Sequence, residues 1–141
     1  MKFHLILALS LGGALLANGA SIAYNSLVQS DGAITHYGFD EAGGTTAVDA
    51  IAGADGTYTG AVNLSAASLP GLGTAADLAG GFVAVPNLGS FSATSAEVWL
   101  QVDALAAGCC TSIASAGSWS SQALHWNLKS DFAFEHAVNG Q

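Results

Sequence analysis

The sequence predicts an all-β protein, an antiparallel two-sheet sandwich of jelly-roll type. Three observations predict it. Short runs alternate apolar and polar side chains with period two, as half-buried strands do. Glycine-rich or Asp-Gly breaks separate those runs at short intervals, and no long amphipathic helix follows the N-terminal apolar segment. Finally, 51% of the 141 residues are hydrophobic, but much of that is alanine, with 18 glycines beside it. Side chains this small make a thin core, which suits closely approaching sheets.

The first element is a targeting segment over residues 1–23. Lys2 supplies a short positive region, Leu5 to Leu16 form an apolar run interrupted by Ser10, Gly12 and Gly13, and small residues follow through Ala23. The run is shorter than the roughly 20 residues of a membrane span, and its three-part order is that of a secretory signal peptide forming a signal helix. Cleavage after Ala20 and after Ala23 both satisfy the small-residue rule. A retained membrane anchor is the competing reading. No cysteine follows the apolar run, which excludes lipid attachment there.

The expected domain spans residues 24–141. Tyr24 to Ser30 form one or two helical turns or an irregular lead-in strand, ended by Asp31-Gly32. Ile34 to Asp40 read as a strand with Tyr37 and Phe39 at alternate positions. Asp40, Glu41, Gly43 and Gly44 break it, and Asp55-Gly56 leads into the strand Thr57 to Thr59. Ala61 to Leu64 continue an edge, and Pro70, Gly71 and Gly73 mark a long connection. Ala75 to Leu78 make a strand turned by Gly80-Gly81 into Phe82 to Val85, and Pro86 stops it for want of a ladder donor.

Ser95 to Asp103 is the cleanest alternation, with Ala96, Val98, Leu100 and Val102 opposite Glu97, Trp99, Gln101 and Asp103. Thr111 to Ala116 is the next strand. Gln122 to Leu128 sets Leu124, Trp126 and Leu128 against His125 and Asn127, and Ser130-Asp131 turns it into Phe132 to Val138. Asn139-Gly140 is a strong hairpin signal with only Gln141 after it, so the expectation is a domain incomplete at its C-terminus.

Charge narrows the partners. Two basic residues stand against ten acidic ones, and Lys129 is the only basic one beyond the targeting segment. A surface this anionic repels phosphate backbones, which argues against nucleic acid. It suits a protein secreted or held outside the cytoplasm, at the cell surface or in a periplasm, with membrane contact only through an uncleaved signal segment. The two cysteines, Cys109 and Cys110, are adjacent. An oxidising compartment leaves three options: a vicinal disulfide, two free thiols, or pairing with cysteines of a longer parent chain. Adjacent thiols without nearby histidines match no zinc spacing.

Several segments taken together resemble the entry of a LamG-like domain, a jelly roll of the concanavalin A-like lectin/glucanase superfamily. They are Asp31 to Glu41, Gly43 to Asp49, Asp55 to Tyr58, Ala76 to Gly80, Phe82 to Pro86 and Ser95 to Leu100. Leu124 to Leu128 and Phe132 to Gly140 resemble the later hairpin. Gly38 stands where the family's opening strand usually has a large side chain, and Asp77 to Gly80 is a degraded form of its Phe-Asp-Gly element. The resemblance implies a recognition or adhesion function rather than one fixed chemistry.

Candidate sites follow from residue type. Some relatives in that fold are glycosidases, but Glu97 and Asp103, the paired acids on one strand face, lie about 20 Å apart along an extended chain, beyond the reach of either hydrolytic geometry. No Gly-x-Ser-x-Gly elbow occurs, and Gly71-x-Gly-x-x-Ala76 lacks the strand–helix setting of a dinucleotide loop. No catalytic constellation is expected. Asp40, Glu41, Asp49 and Asp55 cluster in loops and are the candidate Ca²⁺ ligands, since calcium takes hard oxygens. Turn-capping is their other reading. Trp99, Gln101, His125, Asn127 and Glu135 are the candidate ligand face, an aromatic with amide and carboxylate groups that suits a sugar ring. His36 and His136 sit among aromatics and are expected to pack. Asn63-Leu64-Ser65 is a glycosylation sequon. The expected function is a secreted, non-catalytic module binding carbohydrate or extracellular protein. The alternatives are the recognition portion of a glycan-processing enzyme and a structural surface spacer.

Overall fold

The computed structural model describes residues 24–70, 73–93, 95–105, 107, 110–116 and 124–138. The expected targeting segment, Cys109 and Asn139-Gly140 lie outside them. The described chain is mostly β, arranged as small antiparallel sheets. It divides into two compact units, Met1–Phe91 and Ser92–Gln141. Among the described residues, no helix is long and apolar enough to cross a membrane.

The first unit begins with helix α1 over residues 24–30. Its end satisfies two carbonyls that would otherwise be orphaned. Gly32 N–H donates to the Gln29 carbonyl at 3.1 Å, and Ala33 N–H to that of Val28 at 3.4 Å. Gly32 sits at φ +82°, the left-handed conformation this terminating motif requires.

A three-stranded sheet has the order β1-β2-β5, from Thr46–Ala47, Gly56–Thr59 and Phe82–Ala84. The period-two pattern of β2 buries Gly56 and Tyr58 and exposes Thr57 and Thr59. Ala47 and Tyr58 are the buried apolar side chains among the described residues. Close approach explains Gly56 and Gly81. A Cβ on Gly56 would meet Val83 Cγ1 at 2.8 Å, and one on Gly81 would meet the Ala61 and Thr59 carbonyls at 2.6 and 2.7 Å. A second sheet pairs β3, Asn63–Ala67, with β4, Thr74–Asp77. Its register shifts between Asn63 and Ala66, where Ser65 takes φ +63°, as a bulged residue does.

The second unit holds one sheet of order β6-β7-β8, from Cys110–Ala116, Leu124–Lys129 and Phe134–Val138. The β7–β8 hairpin closes through Phe132 N–H to the Lys129 carbonyl and Lys129 N–H to the Ala133 carbonyl, both 2.9 Å. Phe132 occupies φ +63°, the place of such a turn where glycine is preferred.

Two segments depart from the expected strands. Ile34 to Asp40 makes one bridge, Tyr37 with Asp49, rather than a ladder. The backbone leaves the strand conformation at Phe39, whose φ is +55°. Residues 95–103 are irregular, and their alternation survives only as same-side neighbours: Trp99 Nε1 donates to Glu97 at 2.7 Å and Gln101 Nε2 to Asp103 at 2.9 Å. Alternation makes a strand possible, whereas a ladder also needs a neighbouring backbone in register.

Candidate functional site

Of the expected ligand face, the structure brings three residues together. Ladder register fixes which side chains share a side of a sheet. Ser112, Asn127 and Glu135 form one row across β6, β7 and β8, and Ser115 and His125 belong to another row on the same side. Cys110 opposite Lys129 completes that face. The other face carries Ala114, Trp126 and His136 in one row and Thr111, Leu128 and Phe134 in the next. There Trp126 meets Phe134 edge-on at 6.2 Å and His136 at 6.4 Å between ring centres.

Burial within this face inverts the simple expectation. His125 is 5% and Asn127 4% exposed, while Ser112 and Ser115 are open to solvent. Leu124, Trp126 and Leu128 on the other side of the same strand are only half-buried, so the polar side of β7 is its more buried one. Ser115 Oγ lies 3.1 Å from His125 Nδ1. Lys129 Nζ pairs with Glu135 Oε1 at 3.1 Å, both partly exposed, so the pair adds less than about 1 kcal/mol. Trp99 and Gln101 lie in the irregular segment, and the Trp99 indole is 66% exposed.

Chemically, this face offers hydroxyl, ammonium and carboxylate groups for hydrogen bonding, with an imidazole and an amide buried between them. A serine–histidine contact is also the nucleophile–base pair that acyl transfer uses. Ser115, however, sits on a ladder strand whose amides point along the sheet, and such amides do not converge on an oxyanion. Cys110 is disulfide-bonded, which removes the two-free-thiols option.

The loop acids do something else. Asp49 is 5% exposed, and its two oxygens accept four backbone N–H groups: His36 at 2.9 Å, and Ile51, Ala52 and Ala54 at 3.1 Å each. Burial pushes this carboxyl up, but the four donors outweigh it and bring the pKa down to about 2. Asp55 Oδ1 in turn accepts the Asp49 N–H at 2.9 Å. Glu41 accepts the Val48 N–H at 2.7 Å on one oxygen and the Tyr58 hydroxyl at 2.6 Å on the other. Burial and then the Glu41 contact push the Tyr58 phenol well above its ordinary value. Asp40 is exposed. Among the described residues, no three His, Cys, Asp or Glu side chains gather as a metal-holding group.

His36 lies edge-on to Tyr24 at 5.9 Å and, like His136, packs against an aromatic ring. Asn63 is exposed on β3. Sequence reasoning passed over the role of Tyr58. Its signal was the Glu41 to Tyr58 separation across a loop of small residues, which lets a phenol return to a carboxylate.

Comparison with family models, with curated proteins and with solved structures returns no match.

Proposed function

We propose that this chain is an exported, non-catalytic recognition module of LamG-like jelly-roll type, binding a glycan through the polar face of β6-β7-β8 and the Trp99 indole. The supporting observation is the row Ser112, Asn127, Glu135, which sets an exposed hydroxyl and a partly exposed carboxylate on either side of a buried amide on one sheet face. A sugar carries several hydroxyls that such donors and acceptors can meet, and an exposed indole supplies the apolar surface for its ring. The exposed Ser112 and Ser115 and the partly exposed Glu135 are the contacting groups in this reading. The buried His125 positions Ser115.

Calcium is a separate, optional ligand in this reading and not a condition of glycan binding. Glu41 and Asp49 already use both oxygens, so an ion in the first unit would draw on Asp40 and Asp55.

A glycan array with calcium and again with chelator tests this. The proposal expects at least one glycan class retained, with binding lost in Trp99→Ala and weakened in Glu135→Gln. No binding under either condition sinks the glycan reading. Capture of an extracellular protein instead would replace it with the adhesion alternative.

A further inference from the structure

Within the first unit, three aromatic rings form a continuous run beside two carboxylates. Tyr37 and Phe39 stack at 6.0 Å between ring centres with their planes 12° apart, and Phe39 meets Tyr58 at 6.4 Å and 57°. Tyr37 and Phe39 are half-buried, so the run keeps an open side while Tyr58 closes its base. The left-handed turn at Phe39 sends the chain back, and the next two residues are acids. Glu41 bonds the Tyr58 hydroxyl at 2.6 Å, while Asp40 folds over Gly38, where its Oδ1 would lie 3.2 Å from an added Cβ. An ordinary strand would carry residues 40 and 41 onward, away from the rings. The uncommon backbone conformation is what returns the negative charge to them.

Aromatic faces carry negative electrostatic potential and attract cations within about 6 Å of the ring centre, most of all weakly hydrated organic ones. Neighbouring carboxylates add net charge of the same sign, in a chain whose formal charge is −8. A hard, strongly hydrated metal ion would forgo the ring faces. An alkylated ammonium group uses both features.

We propose that Tyr37, Phe39 and Tyr58, with Asp40 and Glu41, form a binding site for a small organic cation, of the quaternary or methylated ammonium class. The site is separate from the glycan face and does not depend on it.

The test is a titration of the full chain with choline and with 3,3-dimethyl-1-butanol, its neutral isostere, followed by NMR of the aromatic signals. Choline is expected to shift the Tyr37, Phe39 and Tyr58 resonances and to bind at least tenfold more tightly than the isostere. Phe39→Leu keeps apolar bulk without a ring face, and Asp40→Asn removes charge at an exposed position. Each is expected to weaken choline binding several-fold, with the far-ultraviolet spectrum unchanged. Equal binding of the two compounds overturns the proposal, since burial alone would then explain it. So does the absence of any choline-dependent shift.

Discussion

Asp49 accepts the backbone N–H of His36 at 2.9 Å, across thirteen residues of chain, on the oxygen that also holds the Ile51 N–H at 3.1 Å. One buried carboxylate thereby ties the segment before the acidic corner to the loop that follows it. The side chain supplies acceptors where the adjacent segment has a single bridge and no ladder.

Asp49 should make the first unit sensitive to acid. Its folded pKa of about 2 lies below its ordinary 3.8, so its stabilisation is fully present above about pH 4 and lost as the pH falls through 2. The difference corresponds to about 2 kcal/mol at neutral pH. Asp49→Asn turns one acceptor into a donor facing N–H groups, and should lose at least that much and flatten the acid limb. Urea unfolding at pH 7, 4 and 2.5 measures both, and unchanged midpoints in the variant would contradict this role.

Tyr58 should ionise well above the ordinary range of a phenol. Its phenol is raised by burial and by Glu41, so its contribution is complete below about pH 10 and is lost above it, as the proton finally leaves. Absorbance titration near 295 nm should show one late-titrating group, absent from Tyr58→Phe. That variant should also lose about 1.5–3 kcal/mol, the ordinary worth of a hydrogen bond to a charged acceptor. A titration curve without that late group would exclude the contact.

Two glycines should respond differently to alanine. Gly81→Ala drives a methyl into two carbonyl oxygens and Val62, for a cost of about 1–3 kcal/mol. Gly43 has nothing within 4 Å of an added Cβ, and Gly43→Ala should change the thermal midpoint little. Equal midpoints for the two variants would mean that the Thr59, Ala61 and Gly81 backbones do not approach as described.

The hairpin offers a stabilising change. Phe132 is exposed and left-handed, so Phe132→Gly relieves about 1–2 kcal/mol of backbone strain against about 0.5–1 kcal/mol of added chain entropy. A modest rise in the thermal midpoint of the chain is expected. A fall would show that the exposed ring contributes more than its backbone costs.

Strands β2, β4, β5, β6, β7 and β8 were legible in the amino-acid order, because alternation and flanking turn residues mark where an extended run begins and ends. So was the choice of Asp40, Glu41, Asp49 and Asp55 as the acids of one loop region, since composition places them there. Tertiary structure decided the rest. The alternation of Ser95 to Asp103 is clearer than that of β6, yet only β6 forms a ladder, because pairing depends on a second backbone that local pattern does not contain. His125 and Asn127 alternate with Trp126 as clearly on paper as in space. Which side of that strand is the more buried is not contained in its alternation, which reads the same for both sides. Asp49 shows the same division. Amino-acid order places an acidic residue in a glycine-rich loop, and the closed chain surrounds its oxygens with four amides. A carboxylate takes whichever partners the closed chain brings within 3 Å, and that closure is a property of the whole unit.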